Sequence, residues 1–137
     1  MVKKKGSITE TASAIMMEDD EEPENTSQED ETFTTLSETL KEIRKLKGVQ
    51  GYILRGTTSA TIDLKEPGKI VEYAILSSQA LDSSREITEL FNLGEPQHIF
   101  IQGKELKTLS LLIGANKISI FMEKTADHTA ILNRIPH

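Results

Sequence analysis

A chain of 137 residues can bury one sizeable core and not two, and with no cysteine it has no disulfide, no thiolate metal site and no cysteine nucleophile. The formal net charge of -6 is unevenly placed: residues 1–31 carry ten acids against three lysines, whereas residues 32–137 carry twelve acids against thirteen bases. That near-neutral body, without tryptophan and with few aromatic residues, lacks the basic stripe and the stacking platform of a nucleic-acid binder.

In chain order, residues 1–32 read as a disordered acidic tail ahead of a domain spanning 33–137. The runs Glu18-Asp19-Asp20-Glu21-Glu22 and Glu29-Asp30-Glu31 repel internally, and little apolar surface is present to offset chain entropy. Within the tail, Ile8, Ala12, Ile15 and Met16 fall at i, i+4, i+7 and i+8, a spacing that makes one apolar face if a partner induces a helix. Lys3-Lys4-Lys5 is too short for a membrane patch, no run approaches the roughly 18 apolar residues of a membrane span, and the N-terminus lacks the apolar region of a secretory signal. The expectation is a cytoplasmic protein with no direct membrane insertion.

Thr35-Leu36-Ser37-Glu38 reads as a capping box that starts the first helix, with Leu36, Leu40, Ile43 and Leu46 as its apolar stripe and Gly48 as its stop. Val49 to Arg55 and Ser59 to Leu64, separated by Gly56-Thr57-Thr58, read as a β-hairpin, because Ala60, Ile62 and Leu64 alternate with Thr61 and Asp63. A long helix is predicted between the Pro67-Gly68 turn and the Gly94-Glu95-Pro96 break. At about 100° per residue its core face holds Ile70, Tyr73, Ala74, Ser77, Ala80, Leu81, Ser84, Ile87 and Phe91. Val71 and Ile75 fall on the opposite face with Glu72, Gln79, Asp82, Arg85, Glu86 and Glu89. Two such residues are ordinary on a surface that is largely apolar, and stacked one turn apart they equally fit a partner.

Three strand-like runs come next, His98 to Gln102, Leu106 to Ile113 and Lys117 to Met122, with connections short enough to force antiparallel neighbours. A last helix from Ala126 to Ile135 is stopped by Pro136.

No catalytic constellation emerges. His98, His128 and His137 have no ligand spacing, and Asp63 with Glu66, or Glu72 with Asp82, read as solvated turns and faces. Ser77, Ser78, Ser83 and Ser84 have no adjacent base and no Gly-x-Ser-x-Gly elbow, and no glycine-rich phosphate loop occurs. No catalytic residue, cofactor or metal is expected, which leaves a non-enzymatic binding protein.

The order of helix, two strands, long helix, three strands and helix, with Ile43-x4-Gly48-Val49-x-Gly51 joining the first helix to the first strand, resembles the Roadblock (dynein light chain) family over roughly residues 35–135. Arg55-Gly56-Thr57-Thr58 replaces the family's frequent Asp-Gly hairpin turn, and Glu72-Tyr73-Ala74-Ile75-Leu76 its alanine-rich helix start. The resemblance implies an α/β (α+β) fold: a five-stranded antiparallel sheet in the order 2-1-5-4-3, with the long helix on one face and the two terminal helices on the other. It also implies a homodimer, or a heterodimer with a Roadblock-like paralogue, in which third strands pair edge to edge and long helices cross nearby. That points to Val71, Ile75, Ser78 and Asp82 on the helix and His98, Ile99, Phe100 and Ile101 on the strand as dimer or partner interface. Members of the family act as platforms for small Ras-like GTPases, so the resemblance implies a regulator or scaffold of that kind. The alternative is a structural subunit of a larger motor or membrane-associated complex that touches no GTPase.

Overall fold

The computed structural model describes residues 26–136; the acidic run at 18–22 and the apolar spacing at 8–16 lie outside the described residues. Helix α1 spans Thr26–Arg44, strand β1 Val49–Arg55 and strand β2 Ala60–Leu64. A 3-10 turn at Pro67–Lys69 leads into α2, Ile70–Leu90. Strands β3 His98–Gln102, β4 Leu106–Ile113 and β5 Asn116–Glu123 come after it, and α3, His128–Arg134, closes the chain. All pairings are antiparallel, and the sheet runs β2-β1-β5-β4-β3.

Strand alternation divides the core in two. On one side Tyr52, Leu54, Leu109, Leu111, Ile118, Ile120 and Met122 meet Leu36, Leu40 and Ile43 of α1, together with Ile131 of α3 and Ile135 just beyond it. On the other side Ile53, Leu64 and Phe121 receive Ile70, Tyr73 and Leu76 from α2, with the Tyr73 and Phe121 rings stacked at 4.4 Å. Leu36, Leu40 and Ile43 are fully buried, and at about 1.5–3 kcal/mol each they supply the tertiary support that a helix of this length lacks in water.

The join between α1 and β1 depends on two glycines. Gly48 adopts φ +88°, where a side chain is strained, and its carbonyl accepts from the Glu123 N–H at 2.7 Å. At Gly51 a Cβ would collide with the Asp63 carbonyl oxygen and lie 2.7 Å from Leu64 Cα, so close approach of β1 to β2 demands glycine there.

Three features differ from the expectations. Helix α1 begins at Thr26 rather than at the Thr35 capping box, so residues 26–32, which their charge assigned to the tail, are helical. Phe33 accounts for part of the extension, because its ring packs on Gly56 and against the α1 side of the core. Second, Ala74, Ile87 and Phe91 are exposed, while Leu76, left off the expected core face, packs inward. Arg85 shares a groove with Leu112, Ile113 and Gly114 at the end of β4, and Ile87, Leu90 and Phe91 after it are left exposed. Third, α2 ends at Leu90, and its left-handed capping residue is Asn92 rather than Gly94. Asn92 takes a left-handed conformation at φ 57°, its N–H donates to the Glu89 carbonyl at 3.2 Å, and the Leu93 N–H donates to the Thr88 carbonyl at 2.8 Å. This is a Schellman cap, which satisfies carbonyls that the helix end leaves unpaired.

Candidate interaction surface

Among the described residues strand β3 pairs only with β4, so its other side is an open edge of the described sheet. The Gly103 N–H donates to the Leu106 carbonyl at 2.8 Å across the tight β3–β4 turn. Because hydrogen-bonded pairs alternate along an antiparallel ladder, Ile99 and Ile101 turn their main-chain groups toward β4. Those of His98, Phe100 and Gln102 therefore face outward. An apolar strand left open in this way is a template for pairing with another strand.

The side chains of β3 divide between the two faces. Ile99 and Ile101 pair with Ser110 and Thr108 on the α2 side, and Ile101 remains 38% exposed. Phe100 points to the α3 side, where it is half-buried against the core and its ring stacks on His128 at 3.9 Å. His98, two residues earlier, shares that face and is exposed. On α2, Val71 is 69% and Ile75 56% exposed, with Ser78 half-buried and Asp82 exposed on the same side. The structure therefore brings Val71, Ile75, Ser78 and Asp82 together on one side of a helix and places Ile99 and Ile101 on the sheet face that this helix covers. It separates Phe100 and His98 from them.

Two polar networks fix the elements that carry this surface. Ser77 of α2 and Ser119 of β5 share a 2.5 Å hydrogen bond, and Ser119 and Ser110 of β4 share one of 2.8 Å, all three side chains buried. Small hydroxyl side chains let α2 lie close to the sheet and hold it there by polar contact. Behind the sheet, Arg44 Nε lies 3.4 Å from Asp63 Oδ1, tying α1 to β2. Burial, and next the Asp63 carboxylate, push the Tyr52 phenol far above its ordinary range, with Arg44 opposing. Lys107 is buried and donates from Nζ to the Ala126 carbonyl at 2.6 Å, while its ammonium lies 5.9 Å from the Phe100 ring centre. Arg44 Nε and Asp63 Oδ1 are both buried and face one another as an ion pair rather than through a hydrogen bond. Among the described residues no three His, Asp or Glu side chains converge as a metal site, and no helix is long and apolar enough to cross a membrane.

Sequence reasoning missed a second apolar group. Ile87, Leu90, Phe91 and Leu93 are between 54% and 77% exposed. The signal was the density of apolar residues in Ile87-Thr88-Glu89-Leu90-Phe91-Asn92-Leu93, which helical periodicity absorbed in part into a core face.

No family sequence model matches the chain, and no curated protein matches it in sequence. Solved structures do match in shape. A Roadblock/LC7 domain from Streptomyces avermitilis superposes with a TM-score of 0.60 at 10% identity, over 75% of this chain and 87% of that one. The domain has the Roadblock/LC7 fold. The gliding protein MglB from Thermus thermophilus superposes at 0.57 with 15% identity, over 75% of this chain and 82% of that one. A structure described as MglB with a tetrameric arrangement gives 0.59 at 14% identity, over 75% and 81%. At such identities few individual side chains are shared. The Roadblock-like shape therefore rests on the order and packing of elements, and any role for this surface depends on its own residues.

Proposed function

We propose that this Roadblock-like domain is a non-enzymatic binding module that works as a dimer and presents a platform to a small Ras-like GTPase. Two observations carry the reading: the open apolar edge at β3, and the exposed Val71 and Ile75 on the helix that lies over the sheet face holding Ile99 and Ile101. A second copy meets both needs, through main-chain hydrogen bonds from β3 to β3 and apolar contact from α2 to α2. The tetrameric arrangement reported for MglB supports association of domains with this fold. The GTPase part rests on the resemblance alone.

Sedimentation velocity on the full chain tests the dimer: the expected mass is twice 15.3 kDa, and a monomer at tens of micromolar would remove the basis of the proposal. Titration of that dimer with the Ras-like GTPases of its source cell, each loaded with GDP or a GTP analogue, tests the platform. Binding that differs between nucleotide states is expected. Absence of binding in both states, with only proteins that bind no nucleotide recovered from the cell, would favour the structural-subunit reading.

A further inference from the structure

We propose that the chain's own N-terminal segment, residues 8–16, docks in cis on the apolar end of α2 formed by Ile87, Leu90, Phe91 and Leu93. This goes beyond the dimeric platform and does not depend on it.

The docking surface is held in a fixed shape. Leu90, Phe91 and Leu93 stand in and around the hydrogen-bonded Schellman cap, so their exposure is a feature of ordered backbone. At about 100° per residue, Ile87, Leu90 and Phe91 centre roughly 130° round the helix from Val71 and Ile75. A single flat partner surface on the Val71 side does not reach them.

Three observations select the segment. The first is position. One groove is walled by Glu31, Thr35 and Leu36 of α1 with Ile113 and Pro136; another is walled by Arg85, Glu95 and Pro96 with Leu112 and Ile113. Ile113 is common to both, so the early part of α1 and the end of α2 flank the same end of β4. The nine residues between Met16 and Thr26 reach at most about 30 Å when extended, a small-domain diameter.

The second is charge. Glu86 stands one turn before Leu90 on the same side of α2, Arg85 is paired with Glu95 at 3.5 Å, and the last turn of α2 holds no basic residue against its negative dipole end. Residues 1–17 carry three lysines against one glutamate, in contrast to the acidic run just after them. The third is spacing. Ile8, Ala12, Ile15 and Met16 would present one apolar stripe in helical form, and Lys3-Lys4-Lys5 adjoin it in sequence.

Paramagnetic relaxation tests the contact in the full chain. With no native cysteine, Ser13→Cys gives a single site for a nitroxide, and Ser13 lies off the apolar stripe. The amide signals of Ile87 to Leu93 are expected to be strongly attenuated relative to the reduced label. Leu90→Asp with Phe91→Asp, both at exposed positions, is expected to restore the signals of the surrounding amides. Full signals with the oxidised label, or attenuation that survives the double substitution, would overturn the proposal. A mixture of labelled chain with unlabelled, isotope-enriched chain is expected to show no attenuation; attenuation there would assign the contact to a neighbouring copy and overturn docking in cis.

Discussion

Ser77 on α2 and Ser119 on β5, 42 residues apart in sequence, share a buried 2.5 Å hydrogen bond in the middle of the domain. Ser110 extends it across the sheet at 2.8 Å, so a helix whose buried residues are Ser77 and Leu81 is held down partly by hydroxyls. Ser119→Ala removes the central member and strands the other two in the core. The expected cost is about 1–3 kcal/mol, read as a lower urea midpoint with an unchanged slope. Replacing all three serines by alanine is expected to recover part of that loss, since no unpaired hydroxyl then remains.

Gly51→Ala tests the close approach of β1 and β2. The added methyl meets the Asp63 carbonyl and Leu64 with backbone on the other side, so neither neighbour moves cheaply. The expected destabilisation is at or above about 1–3 kcal/mol. Thermal unfolding by circular dichroism reads it. Gly68→Ala, where a Cβ meets nothing within 4 Å, is the control and is expected to leave the midpoint nearly unchanged.

Tyr52 predicts a loss of stability at high pH. Burial and the Asp63 carboxylate keep the folded-state phenol neutral beyond its ordinary value of 10.0, whereas the unfolded phenol ionises there. The folded state holds the extra proton, so the contribution is fully present below about pH 10 and is lost as pH rises above it. The slope is about 1.4 kcal/mol per pH unit. Urea titrations at pH 9, 10 and 11 on wild type and Tyr52→Phe measure it as the difference in slope. Parallel curves for the two proteins would show that Tyr52 is not the titrating group.

Val71→Asp and Ile75→Asp separate the outer side of α2 from its core side. Each carboxylate set against an apolar partner surface costs on the order of 1–3 kcal/mol, and a two-fold dimer contains each substitution twice. Dissociation with unchanged circular dichroism is expected from analytical ultracentrifugation on the same samples. An unchanged dimer would place the interface elsewhere. Gln102→Pro, which removes an outward N–H from the β3 edge, is expected to weaken the dimer while the sheet persists, because an edge strand tolerates proline on its open side.

Local rules carried the sequence reading far. β3 and β4 have the limits of the strand-like runs His98 to Gln102 and Leu106 to Ile113, and Leu36, Leu40 and Ile43 form the buried stripe of α1. Val71 and Ile75 were legible as outward-facing for the same reason: a helical face is a property of spacing. The strand order came from resemblance, since periodicity does not specify which strands are neighbours.

The amino-acid sequence by itself determined the element types, most of their limits and the alternation that sends Ile118, Ile120 and Met122 to one side of β5 and Ser119 and Phe121 to the other. Those outcomes arise from backbone geometry over a few residues. Tertiary structure decided where α1 starts, because Phe33 finds Gly56 twenty-three positions away, and it turned Phe100 inward onto His128. It also decided that Ile87 and Phe91 are left exposed. Helical periodicity fixes which way a side chain points, but only the length of the surface beneath determines whether anything is there to cover it.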